Sequence, residues 1–154
     1  MNVLVSSCFL LPTRYDGKAQ DKPEMQAIIN FLKEAGANVI PVCAEQLGGL
    51  STPRLPAEIS GNKVITINGE DVTKQFSAGA SSVLKLCQEL EVKVAIMKER
   101  SPSCGVNQIY DGTHSSSVVS GSGVTTKLLK ENGVVIFTEN DIEGIREYIW
   151  KQKI

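Results

Sequence analysis

The segment Asp21-Lys22-Pro23-Glu24-Met25-Gln26-Ala27-Ile28-Ile29-Asn30-Phe31-Leu32-Lys33-Glu34-Ala35-Gly36-Ala37-Asn38-Val39-Ile40-Pro41-Val42 switches hydrophobic period part-way along, and that switch decides the fold. Met25, Ile28, Ile29 and Leu32 fall at i, i+3, i+4 and i+7, one face of an α-helix. Asp21 is expected to cap this helix, Glu24 to complete a capping box, and Gly36 to stop it. Asn38 to Val42 then reads as a strand ending at Cys43, and Val3-Leu4-Val5 upstream as a buried strand running into Ser6-Ser7-Cys8. Leu11 to Gly17 reads as loop, with Asp16-Gly17 a turn. Strand, helix, strand in this order implies a parallel pair with a right-handed crossover.

Further along, Cys43 to Ile59 is irregular, punctuated by Gly48-Gly49, Pro53 and Pro56. Val64 to Val72 predicts a small hairpin turning at Asn68-Gly69, a lid or edge ornament over about 60–73. A helix from about Thr73 to Glu91 carries Phe76, Ala80, Val83, Cys87 and Leu90 on one stripe. Val92 to Met97 is a third strand, leading through Lys98-Glu99-Arg100-Ser101-Pro102-Ser103-Cys104-Gly105 into a Ser/Gly-rich loop that reaches Gly123. Ser122 or Thr125 opens a helix with Val124, Leu128 and Leu129, stopped at Asn132-Gly133. Val134 to Phe137 is a fourth strand, and Asn140 with Glu143 caps a last helix burying Ile142, Ile145 and Ile149. The pattern predicts one domain over 1–154, an open parallel α/β sheet of about four strands in the order 2-1-3-4, helices on both faces and a hairpin insertion.

The formal net charge of -1 gives no electrostatic case for a nucleic-acid polymer or an anionic membrane, and 5% aromatics argues against a base-stacking platform. No apolar run approaches the ~18 residues of a spanning helix, and Met1-Asn2-Val3-Leu4-Val5 lacks a basic n-region, so a cytoplasmic protein is expected. In that compartment cysteines are more often metal-binding or catalytic than disulfide-bonded.

The chain has four cysteines. Cys87 lies on a core stripe and reads as a small buried hydrophobe. Cys8, Cys43 and Cys104 each follow a strand, and Cys104, between Pro102-Ser103 and Gly105, is expected in a loop that buries it poorly. With order 2-1-3-4 their strands are neighbours about 4.8 Å apart, and open parallel sheets bind ligands beyond the C-terminal strand ends. The three thiols are therefore expected to form one site, although their separations match no zinc-finger or ferredoxin spacing. Three thiolates leave a position open, either on zinc or on one iron of a [4Fe-4S] cluster, where it acts as a Lewis acid.

Glu45 reads either as a solvated loop carboxylate or as a general acid/base beside the thiols, and Ser101 as a turn residue or a substrate-orienting hydroxyl. His114 is a loop residue, a fourth ligand, or the base for a nucleophilic Cys104. Arg14, Lys98, Glu99 and Arg100 are electrostatic partners or surface ion pairs. Gly121-Ser122-Gly123 ahead of a helix offers an anion cradle without the Lys-Ser/Thr of a P-loop. Tyr15-Asp16-Gly17 and Tyr110-Asp111-Gly112 echo one another.

Val5-Ser6-Ser7-Cys8, Arg14-Tyr15-Asp16-Gly17, Cys43-Ala44-Glu45, Gly48-Gly49-Leu50 with Pro53-Arg54, Asp71-Val72-Thr73 and Lys98 to Gly105 together resemble the DUF523 family, which includes the thiouracil desulfidases. The resemblance spans the first strand to about Glu139. It implies a [4Fe-4S] cluster held by Cys8, Cys43 and Cys104, with Glu45 and Ser101 as acid/base and assisting residues. It also implies a small thiolated pyrimidine as substrate, such as 2-thiouracil, its sulfur taken at the open iron to give uracil and sulfide. Ala44 stands where the family usually has Pro, and His114-Ser115-Ser116-Ser117 replaces its aromatic-Ser-Gly. The alternative is a non-catalytic metal- or anion-binding module using the same three cysteines, holding zinc or nothing.

Overall fold

Strand β1 (Asn2–Ser6) runs through the middle of the protein, and its alternation of side chains divides the core in two. Val3 and Val5 point to one face and Leu4 to the other, as a period of two requires. The computed structural model describes residues 1–20 and 22–153; the cap expected at Asp21 lies outside them.

After a 3₁₀ turn at Ser7–Phe9 come helix α1 (Pro23–Glu34) and strand β2 (Asn38–Val42). Lys22 is the N-cap of α1 and Pro23 occupies its first turn, where the missing N–H costs nothing. Helix α3 (Thr73–Glu89) precedes strand β5 (Val94–Met97), helix α4 (Val124–Glu131) precedes strand β8 (Val135–Thr138), and helix α5 (Ile142–Gln152) follows. The four strands form a wholly parallel sheet in the order β2-β1-β5-β8, the predicted 2-1-3-4. All four residues of β5 are buried, consistent with a central strand covered on both sides.

Helices α1 and α5 cover one face, packing Met25, Ile28, Ile29, Leu32, Ile145 and Ile149 on Val3, Val5, Val94 and Ile96. Helices α3 and α4 cover the other, with Val83, Cys87 and Leu129 against Leu4, Ala95 and Met97. Cys87 is thus a core residue. Leu90 departs from its predicted stripe and is 40% exposed, because α3 ends at Glu89 and Leu90 is already its C-cap.

Three connections differ from their sequence expectation. The antiparallel hairpin pairs β3 (Ala57–Ser60) with β4 (Lys63–Thr66) and turns at Gly61-Asn62. Asn68-Gly69 still reverses the chain, but it is followed only by an isolated bridge, Ile65 to Asp71. The Ser/Gly-rich loop contains a second hairpin, β6 (Gln108–Tyr110) with β7 (Val118–Ser120). The stretch after Cys43 begins with a short helix, α2 (Ala44–Leu47).

Helix caps also shift by a residue or two. Asp141, not Asn140, caps α5, its Oδ1 accepting from Gly144 N at 2.9 Å, while Asn140 N donates to Thr138 Oγ1 in the preceding turn. The cap of α4 is Gly123; Ser122 Oγ and Thr125 Oγ1 bond elsewhere, to Val106 O and Ser103 Oγ.

Helix α2 lies against α3 through two glycines. A Cβ at Gly79 would stand 1.9 Å from Ala44 O, and one at Gly48 would stand 1.9 Å from Gln75 O. The two backbones meet where no side chain fits, and this contact sets the position of Glu45 at the start of α2.

Candidate active site

The chain leaves β1 to one side to make β2 and returns on the other to make β5, so the strand order reverses beside β1, where open sheets bind ligands. A cavity of about 1090 Å³ opens there. Cys8, Cys43, Cys104, Glu45 and Ser101 all line it, whereas Cys87 does not. All four cysteines are free of disulfides.

Cys104 is not poorly buried. It is 7% exposed, because its loop folds back onto the protein through a dense set of hydrogen bonds. Glu99 Oε1 accepts from Val106 N at 2.7 Å, Asn107 N at 2.9 Å and Gln108 N at 3.1 Å, drawing the chain after Cys104 around one carboxylate. Ser101 Oγ accepts from Ser103 N at 3.1 Å and Cys104 N at 3.0 Å. Thr126 Oγ1 donates to Cys104 O at 2.7 Å. The start of α4 closes the loop: Val124 N donates to Pro102 O, and Thr125 N and Thr126 N to Ser103 O. Gly121-Ser122-Gly123 is therefore no anion cradle; the helix N–H groups are already bonded, and a Cβ at Gly123 would fall 2.3 Å from Ser103 C.

Glu99 is a buried anchor rather than a surface ion pair, and its neighbour Lys98 pairs with Glu139 at 3.2 Å. Glu139 in turn accepts the Glu99 N–H at 2.8 Å. Burial raises the Glu99 carboxyl, but the N–H groups of Gln108, Asn107, Val106 and Arg100 outweigh it and hold the group below its ordinary 4.5. A depressed carboxylate contributes stability that is present above its unfolded value and lost as pH falls through the folded one. Glu99→Gln is therefore expected to lower the melting temperature of the metal-free protein at neutral pH and to flatten its decline in acid. Melts of both proteins between pH 7 and pH 3 check this, and parallel acid limbs would refute it.

Burial pushes the Cys8 thiol up to about 12; Lys98 pulls it back, and Glu45 and Cys43 add to the rise. Burial likewise raises Cys43 to about 11, reinforced by Glu45 and opposed by a backbone N–H and Arg54. Cys104 is raised as well, by burial first and then by Glu45, with Ser6 opposing and with Cys8 and Cys43 adding. Cys8 thus feels Cys43, and Cys104 feels both of the other two. Without a metal they are neutral thiols, the reverse of what an activated cysteine nucleophile needs. His114 does not serve Cys104 as a base: its Nδ1 lies 3.5 Å from Glu58 Oε2, and its Nε2 is buried with no partner.

A lone zinc ion holds thiolates at about 2.3 Å and so within roughly 4 Å of one another. Among the described residues no three His, Cys, Asp or Glu side chains are grouped tightly enough for a single ion. The irons of a cluster stand apart, each taking its own thiolate. Three soft sulfurs that line one cavity without forming a single-ion group have the donor chemistry of an iron–sulfur cluster.

Glu45 is buried at the start of α2, with Oε2 3.3 Å from Cys43 Sγ and 3.9 Å from Arg54 Nη2. Arg54, in a loop punctuated by Pro53 and Pro56, carries no signal of burial in the sequence. The two Tyr-Asp-Gly motifs are matching Asx turns: Asp16 and Asp111 each accept the N–H two residues on, and both glycines have positive φ. Tyr15 and Tyr110 both line the cavity. Glu58 Oε1 joins the hairpins over it, accepting from Gly112 N at 3.0 Å and His114 N at 3.1 Å.

The model of the 2-thiouracil desulfurase family matches residues 3–141. The chain belongs to that family. Membership places it among desulfurating enzymes. The chain is 38% identical over 154 residues to a Bacillus subtilis (strain 168) protein, uncharacterized protein YbbK, covering 93% of this chain and 99% of that one. Its structure resembles that of the [4Fe-4S]-dependent thiouracil desulfidase TudS, with a TM-score of 0.90 and 37% identity over 96% of this chain and 97% of the other. Among the described residues no helix is long and apolar enough to cross a membrane.

Proposed function

We propose that this desulfidase is a single-domain cytoplasmic enzyme that removes sulfur from a small thiolated pyrimidine such as 2-thiouracil, releasing uracil and sulfide. The observation that carries the reading is the meeting of Cys8, Cys43 and Cys104 with Glu45 and Ser101 on one cavity at the strand-order reversal. The family match and the iron–sulfur desulfidase of the same fold support it. Held by the three cysteines, a [4Fe-4S] cluster would supply an iron with an open position, a Lewis acid for the thione sulfur.

The protein's own groups do the rest. Glu45 is the general base, taking a proton from the water that attacks the ring carbon. Ser101 spends its lone pairs on the Ser103 and Cys104 N–H groups, which leaves the hydroxyl proton to donate to the substrate.

Anaerobic purification followed by assay of sulfide from 2-thiouracil tests the proposal. About four iron and four labile sulfide per chain, with sulfide released, are expected. A colourless protein after anaerobic reconstitution, or a loaded one that releases no sulfide from any thiolated pyrimidine, would overturn it.

A further inference from the structure

Arg54 lies in the loop between α2 and β3, tied down by its own N–H to Tyr15 O at 2.8 Å. Its side chain is 11% exposed. Nη1 donates to Thr52 Oγ1 at 2.9 Å, and Nη2 donates to Thr13 O at 3.1 Å. The same Nη2 stands 3.9 Å from Cys43 Sγ and 3.9 Å from Glu45 Oε2.

The Cys43 thiol itself donates to Glu45 Oε2 at 3.3 Å. Arg54 already reaches both of them. Nη1 is held by Thr52, which turns the one nitrogen Nη2 toward the sulfur and the carboxylate together.

We propose that Arg54 is a positioning residue of this site, its Nη2 bridging the Cys43 sulfur and the Glu45 carboxylate and holding the two fixed relative to each other on the cavity wall. The inference rests on the iron–sulfur reading above. Its role toward Glu45 is local and exists in the metal-free protein; its role toward the cluster is to supply positive charge and an N–H beside one ligand sulfur, both of which tune an iron–sulfur centre.

The test uses Arg54→Gln, Arg54→Lys, Glu45→Gln and the Arg54→Gln/Glu45→Gln double variant. In metal-free protein, the melting-temperature changes of the two Gln variants are expected to be non-additive in the double variant, as for side chains in contact. In reconstituted protein, Arg54→Gln is expected to shift the cluster potential negative and to lower kcat on 2-thiouracil by about tenfold or more with KM nearly unchanged. Arg54→Lys is expected to fall between, and it replaces the Gln variant if that one fails to fold. Additive melting changes together with an unmoved potential and kcat would overturn the bridge. If the wild-type protein takes up no iron, the iron–sulfur reading fails by itself. The thermal cycle then decides Arg54 alone, coupling supporting the bridge and additivity refuting it.

Discussion

Alanine at Cys43 is expected to give a folded chain that no longer holds iron, and Cys8→Ala and Cys104→Ala are expected to do the same. The three thiols come from separate segments, the turn after β1, the end of β2 and the loop after β5, so none can stand in for another. Cys87→Ala is the matched control. Its thiol lies in the core between α3 and the sheet, and its loss is expected to cost about 1 kcal/mol of stability, like other small core truncations, with the cluster kept. Iron and acid-labile sulfide per chain, with absorbance near 400 nm, read the outcome after identical anaerobic reconstitution. Full loading of any of the first three variants, or loss of loading in the fourth, would remove the three-cysteine assignment.

Glu45→Gln is expected to keep iron and sulfide at the wild-type level while sulfide release from 2-thiouracil falls by about 10²- to 10⁴-fold, the usual range for a lost acid/base group. Glutamine matches the carboxylate in size, so the start of α2 is not disturbed. It cannot take a proton from water. Loading and turnover must be measured on the same sample, because an empty site also gives no sulfide. Normal turnover by a loaded Glu45→Gln protein would take Glu45 out of the mechanism.

The sheet was legible because its signals are local and repeated. Val3-Leu4-Val5, Val39 to Val42 and Val94 to Met97 are apolar runs of strand length, and the helices between them keep a 3.6-residue period. The hairpins were harder. Ala57–Ser60 alternates apolar and polar residues, but only over four positions directly after Pro56, and Gln108–Tyr110 and Val118–Ser120 are three-residue strands amid serine and glycine. The caps of α4 and α5 slipped by a residue because several Ser, Thr, Asn and Asp residues stand near those helix starts. Which of them caps depends on which are already bonded across the fold, as Thr125 is to Ser103.

For the candidate site, the residue types were readable and their surroundings were not. Cysteines at three strand ends, with Glu45 and Ser101 beside two of them, follow from order and spacing once the sheet topology is granted. The chain alone determined this much: a parallel sheet with thiols at neighbouring strand ends, and Cys87 on a core stripe. Tertiary structure decided that Cys104 is buried, that Glu99 anchors its loop, that Gly79 and Gly48 bring α2 against α3, and that Arg54 reaches Cys43 and Glu45. The reason is range: periodicity is set by neighbours a few residues apart, whereas burial and charge pairing are set by whatever the fold brings near, as Ser6 meets Lys98 N across 92 positions.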